Sequence, residues 1–442
     1  MKRPLIAAGL WALASQAALA QSMPGMTMPA GDMAAPKPPS VAADASTATP
    51  MTMPMTMQPG DTLSTAGSGT SRLPANDAMH GVHIMAGDWM LMVHGYAWGS
   101  ATDQGGPRGA KEAFVQSMMM IEGARPLGDK VDLTLRSMMS ADPLMGERGY
   151  PDLFASGETA HGIALVDRQH PHDLFMEMSA RVDIAHGTDS HIFIYGGLPA
   201  EPALGPSAFM HRGSARFDPE APITHHWFDS THIAWGVVTV GYATPHWQLE
   251  GSAFKGREPD ENRYNIETPR LDSWALRATW NPSRAWSSEV SYGELHSPEA
   301  LNPTQNEHRL IASTSYSANG LDVTAAYSRK SILPGRVLPA WLAEATYAVS
   351  PVHGIFGRFE NVRNDELFER DEQLGRDPPL LGVPFRISKF TAGYAYTLPL
   401  PHDLAVAIGA AASAYAKSDR LDAAYGRHPH SLTLFAKLML GH

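Results

Sequence analysis

The chain has 442 residues, no cysteine and a formal net charge of −11. The acidity excludes nucleic acid as a partner, and the absence of cysteine excludes a disulfide framework as the source of stability. After the first twenty residues no apolar run is long enough for a membrane helix. The nearest, LAVAIGAAASAYA at 404–416, is short and built largely of Gly and Ala. Any membrane passage would therefore be as a barrel.

Residues 1–20, MKRPLIAAGLWALASQAALA, have the layout of a secretory signal: Lys2 and Arg3, an apolar stretch from Leu5 to Ala14, and Ala18-Leu19-Ala20 before the cut. Sec export with cleavage before Gln21 is expected. Removing the two cations shifts the formal charge to about −13. Residues 21–86 form a Met/Pro-rich arm without helical or strand period, read as disordered. Its thioethers recur every two or three residues, at Met23, Met26 and Met28 and again at Met51, Met53, Met55 and Met57. Thioether sulfur suits Cu(I), and a flexible chain can wrap several around one ion. The bland alternative is a linker whose methionines are incidental.

From residue 87 to 442 the texture is that of a barrel. Segments of about ten residues alternate apolar and polar, a strand signal. VDLTLRS (131–137) sets Val131, Leu133 and Leu135 against Asp132, Thr134 and Arg136. LFMEMSARVDI (174–184) sets Met176, Met178, Val182 and Ile184 against Glu177, Arg181 and Asp183, and SWALRATW (273–280) behaves alike. About sixteen such segments are expected. Their links switch between short turns and long loops (139–173, 199–229, 257–271, 362–386 and 417–430, with shorter members at 101–111, 296–306 and 331–339). That is the layout of a bacterial outer-membrane, antiparallel up-and-down β-barrel. Aromatic residues such as Trp89, Trp98, Trp247, Trp280 and Trp341 fall near segment ends, as in interfacial girdles. By parity Glu177, Arg181, Glu250, Arg277, Lys330 and Glu344 line the lumen, where mixed charge fits a water-filled pore.

Within WMLMVHGYAW, Met90, Met92, His94, Tyr96 and Trp98 share one face, and Gln116, Met118, Met120 and Glu122 share one in the next segment. If both point inward they form a sulfur and imidazole patch; otherwise Met merely fills space. DRQHPHD at 167–173 ends the second long loop. In extended backbone His170 and His172 project to one side and can reach one ion, with Asp167 or Asp173 adding oxygen or orienting a ring. Equally, Asp167, Arg168 and Asp173 can pin the loop into the pore by salt bridges. The third long loop carries His211 and the pair His225-His226, with His232 after them, and a second HPH, His428 to His430, closes the eighth. All lie on one rim. No GxSxG, HExxH or Walker motif occurs, so no enzyme is expected.

The signal, the arm (SMPGMTMPAGDM, MTMPMTM) and the barrel pattern together resemble the outer-membrane copper-resistance proteins of Gram-negative bacteria of the copper resistance protein B type. LVDRQHPHDLFMEMSARVDI resembles an uncharacterised proteobacterial outer-membrane family that accompanies metal-resistance genes. The resemblance implies copper handling at the outer membrane and no mechanism. The expectation is a barrel in outer-membrane lipid that binds copper or a related soft metal ion or lets it pass, with periplasmic copper proteins as candidate partners. The competing expectation is a general diffusion porin with no metal role.

Overall fold

In a computed structural model the described residues are 63–77, 81–368 and 379–441. The expected signal segment and Met51, Met53, Met55 and Met57 lie outside them. Three short strands come first: β1 (Ser64–Ala66), β2 (Arg72–Pro74) and β3 (Val82–Ala86). They are followed by β4 (Trp89–Gln104), β5 (Lys111–Pro126), β6 (Val131–Met139), β7 (Tyr150–Ala160), β8 (Ile163–Gln169), β9 (Phe175–Ala185), β10 (His191–Gly197) and β11 (Val237–Ala243). Then come β12 (Trp247–Phe254), β13 (Ser273–Ser283), β14 (Trp286–Leu295), β15 (Asn306–Ala318), β16 (Leu321–Leu333) and β17 (Arg336–Ala348). The series ends with β18 (His353–Asn364), β19 (Phe385–Leu400), β20 (Leu404–Ala416) and β21 (His430–Leu440).

Sixteen of these, β4–β6 and β9–β21, form a closed antiparallel barrel in which consecutive strands are neighbours. The barrel closes where β21 pairs with β4, from Ser431 opposite Gln104 to Leu440 opposite Gly95. β3 continues that seam by pairing with β4 from Trp89 to Val93. Closure satisfies the backbone between neighbours, so no open edge faces an apolar solvent.

Period two in the sequence becomes inside and outside. On β13 Trp274, Leu276 and Trp280 are exposed while Ala275, Arg277 and Thr279 are buried. The same outward apolar row runs through Val238, Val240 and Tyr242 of β11 and Leu432, Leu434 and Leu438 of β21. A barrel clad in large aliphatic side chains fits hydrocarbon. Trp247 and Trp280 stack near one rim with ring centroids 5.9 Å apart, as a girdle would. Trp98 does not belong to it: it lies inside, against Phe435.

Short turns gather at one rim. Asn319-Gly320, with φ of 54° and 75°, turns β15 into β16, the left-handed pair that tight hairpins need. Long loops gather at the other rim, with one exception. The link expected at 331–339 shrinks to Pro334-Gly335, because β16 and β17 run on to Leu333 and from Arg336.

The lumen differs most from expectation. The arm had been drawn to residue 86, yet residues 63–77 lie inside the barrel. The Ser68 amide donates to Ser207 Oγ at 2.9 Å and the Thr70 hydroxyl to Glu250 at 2.5 Å. A Cβ on Gly67 would stand 2.5 Å from Ser71 Oγ, so this close passage needs glycine. The second long loop contains a hairpin, β7–β8, buried along all of β7. The third, 198–236, is likewise buried almost throughout. Leu153, Phe154, Ile223, Trp227 and Phe228 of these loops pack on inward Ala275, Ile311, Leu342 and Ile387 of the wall. Each large side chain so buried contributes about 1.5–3 kcal/mol. Inner-face charges are therefore paired and sealed rather than bathed: Arg277 meets Glu250 at 2.9 Å, Lys330 meets Glu307 at 3.0 Å, and Glu344 holds Arg212 and Arg358.

Candidate metal centre

The chain leaves β8 at Gln169 and runs through His170-Pro171-His172-Asp173 into β9. Proline keeps His170 out of helical backbone. The motif is drawn inward because the residues around it are anchored. Asp167 accepts the Phe154 amide at 2.8 Å and meets Arg108 at 2.7 Å; Arg168 reaches Glu112 at 2.9 Å. Asp173 does not turn to the imidazoles. It binds Arg263 at 3.1 Å, which also clasps Glu158. Its expected role as a metal ligand is thus replaced by the pinning one: a carboxylate spent on a buried guanidinium is not free for an ion.

The third loop brings the rest. His225 and His226 start the single helical turn α1 (His225–Phe228), and His232 lies in the tight turn Ser230–His232, before β11 rather than inside it. Ring centroids are 5.8 Å apart for His170 and His225, 5.5 Å for His170 and His226, and 5.3 Å for His225 and His226. His232 stands 5.1 Å from His225 and 5.4 Å from His172. All five are buried.

Each ring is held through Nδ1 by an oxygen. His172 faces Asp142 at 2.8 Å, His225 faces Asp229 at 2.7 Å and His226 faces Glu258 at 3.1 Å. His232 faces the Asp229 carbonyl at 2.7 Å, and His170 faces the Pro171 carbonyl at 3.2 Å with Glu158 at 3.3 Å. An imidazole whose Nδ1 meets only acceptors carries its proton there, which leaves Nε2 bare. The Nε2 atoms of all five are buried without a partner. Oxygen behind one nitrogen and a bare lone pair on the other is how metal-ligating histidines are oriented.

Ligand atoms of His170, His225 and His226 lie within 4.8 Å of one another, and so do those of His226, Glu258 and half-buried Glu299. Two nitrogens on one ion at about 2.1 Å each are at most about 4.2 Å apart, so shifts of tenths of an ångström would close the first set. Burial, then Arg263 and the neighbouring imidazoles, hold His170 well below the usual histidine range; burial, then His225 and His172, do the same to His232. Burial also lowers His225 despite Asp229. Burial would lower His226 too, but Glu258, Glu299 and Glu158 raise it to about 9, so at neutral pH this ring carries a second proton, on Nε2, that a metal ion would have to displace. The carboxylates beside His226 thus favour an added positive charge here.

Other expected ligands fall elsewhere. His428 and His430 share the loop rim but are exposed. His430 is the outward residue at the start of β21, whose inward partner is Ser431, so alternation turns it from the lumen. Met90, Met92 and His94 do face inward, Met92 and His94 buried and Met90 half-buried, but Met92 belongs to a separate group. There Met92, Met118, Met120, Met138, Met176 and Ile233 pack together, with Met210 beside them. Met176 had been placed on the outer face. A bulge opposite Met138–Met139 inserts it into β9 as an extra residue, and it is buried with Glu177. Sequence reasoning missed the oxygens behind the rings: Asp142, Glu258 and Glu158 are far from their histidines in sequence and carry no spacing signal, while Asp229, four residues after His225, was a local signal left unread.

No protein-family model matches the chain, and a search of curated proteins gives no match. Among solved structures it is similar to Salmonella typhi OmpF, in complex with daunomycin, at 9% identity and a TM-score of 0.52. That match covers 81% of this chain and 100% of the other. It is also similar to Pseudomonas putida OprB, in a high-pH structure, at 13% identity and a TM-score of 0.50, covering 80% and 94%. The likeness is one of fold: a closed antiparallel barrel of the kind these outer-membrane porins have.

Proposed function

We propose that this outer-membrane barrel binds a transition-metal ion within its lumen, with His170, His225 and His226 as ligands and His172 and His232 beside them. The observation that carries the reading is the set of five buried, unpartnered Nε2 atoms, each on a ring oriented by oxygen through Nδ1. Imidazole suits Cu(II), Zn(II) and Ni(II), and copper ranks highest among them in affinity. The centre stands on inward-folded loops, so the ion would be held on the route between the two rims. The reading is of binding, with no catalytic step.

The porin-like architecture favours a second reading, a general solute channel whose third loop narrows the pore. Against it stands the sealing of the inner-face charges by the loops. The separating experiment is calorimetric titration of the refolded, chelator-stripped full chain with Cu(II) and Zn(II). The metal reading expects tight binding, lost on combining His170→Ala, His225→Ala and His226→Ala. Identical isotherms for that variant and the parent would leave the channel reading alone.

A further inference from the structure

On the outer face of the wall, near the long-loop rim, charged side chains come in two arrangements. On one flank they neutralise each other: Lys111 of β5 meets Asp103 of β4 at 2.8 Å, and His308 of β15 stands 3.8 Å from Glu294 of β14. On β16, β18 and β19 they do not. Arg329, Arg363 and Arg386 are each exposed between two buried, inward neighbours, and among the described residues none of the three forms an ion pair.

The registers bring these arginines into one row across the strands. Arg363 lies directly opposite Arg386. Arg329 lies opposite Pro339, which is one step beyond the Ala340–Val362 pair and so level with Arg363. With neighbouring strands about 4.8 Å apart, the row runs about 14 Å from Arg329 to Arg386. Like charges directly opposite on one face of a sheet repel each other and destabilise it. The arrangement therefore calls for an anion that the chain itself does not supply.

The depth of the row says where that anion comes from. Two residues further from the rim, Tyr327 and Trp341 are opposite one another with ring centroids 4.5 Å apart. Beside them Asn361 donates its amide to Ser388 Oγ at 2.7 Å. An aromatic pair on the outer face marks the boundary between hydrocarbon and headgroups, so the arginines stand about 7 Å beyond it, at headgroup level. Towards the midplane the outward residues Ala345, Gly357 and Ala392 are small and level with one another. Phe359 and Phe390, with centroids 4.9 Å apart, stand between them and the rim. Such a low strip gives acyl chains a place to lie beneath the charged row.

We propose that Arg329, Arg363 and Arg386 form a docking surface for a phosphorylated lipid of the leaflet at the long-loop rim, of the kind whose headgroup carries two phosphates, as the lipid A end of lipopolysaccharide does. Guanidinium groups engage phosphate oxygens in pairs. One phosphate is clasped by Arg363 and Arg386 together, and Arg329, about 10 Å from Arg363, is placed for a second. The surface lies outside the wall and does not depend on the histidine centre in the lumen.

The test is titration of the refolded full chain in detergent with diphosphoryl lipid A, monophosphoryl lipid A and the fully dephosphorylated lipid, read by native mass spectrometry. The expected order of retention is two phosphates, then one, then none. Arg363→Gln/Arg386→Gln should weaken diphosphoryl binding by at least about tenfold, while Lys111→Gln, on a paired outward charge, leaves it unchanged. If the double variant fails the heat-modifiable gel test of folding, Arg329→Gln takes its place and should erase the preference for two phosphates over one. Equal retention of all three lipids by the parent, or unchanged binding in a folded variant, would overturn the surface. So would displacement of the lipid by inorganic phosphate, which would assign the row to a free anion, or loss of an oligomer in the variant with lipid retention intact, which would assign it to a second copy of the chain.

Discussion

The tripeptide His-Pro-His occurs twice, at 170–172 and at 428–430, on the same rim of the barrel. The first pair is buried, backed by oxygen and surrounded by three more imidazoles. The second is exposed, one ring at the end of a loop and the other on the outer face of β21. Identical local chemistry thus has two fates. What separates them is the surroundings: anchored acids and arginines draw one loop into the lumen, and strand alternation turns the other ring outward. A short histidine motif becomes a site only when something encloses it and orients each ring.

The largest effect expected is on the enclosure. Arg263→Met leaves Glu158 and Asp173 buried without their guanidinium, and breaking such a pair costs about 3–5 kcal/mol. Thermal unfolding in detergent should show it, and an unchanged midpoint would mean that the first HPH is not held by this clasp. Next come the rings themselves. His170→Ala/His172→Ala should weaken Cu(II) binding by more than the about 10–100-fold typical of losing an orienting neighbour, while His428→Ala/His430→Ala leaves the isotherm in place. Equal losses from both pairs would dissolve the contrast. Glu258→Gln, which puts an amide behind His226, should cost about 10–100-fold. The smallest effect is expected from Gly157→Ala, where φ is +108° and an added Cβ would stand 2.4 Å from His226 Cε1. Displacing that ring without removing it should lower affinity by about tenfold, read in the same titration.

Much of the wall was legible because a barrel strand writes its environment into every second residue. Trp274, Leu276 and Trp280 against Arg277 and Thr279 needed no partner to be read. The strict exchange of short and long links told which rim carried the histidines, and failed only at Pro334-Gly335, where neighbouring strands outrun the alternation. The inward stripes of Met92 and His94, and of Met118 and Met120, could not be oriented from period alone, since either face was apolar enough for lipid. Met176 was misplaced because a bulge breaks parity locally and leaves no mark in composition. The filling of the lumen was illegible for a different reason. Whether a loop of acids, arginines and histidines is solvated or buried depends on partners far along the chain, such as Arg263 for Asp173 and Arg212 for Asp229.

The seam between β21 and β4 has its own bearing on assembly. β21 covers β4 only as far as Gly95, and the remaining stretch to Trp89 is covered by β3. The cylinder is thus fastened by its last strand and by a short strand that precedes its first, like a belt whose two tongues share one buckle. A nascent sheet lacking Val82–Ala86 would have bare amides of β4 turned towards hydrocarbon, so insertion would stall until the stretch just behind the arm is threaded into place.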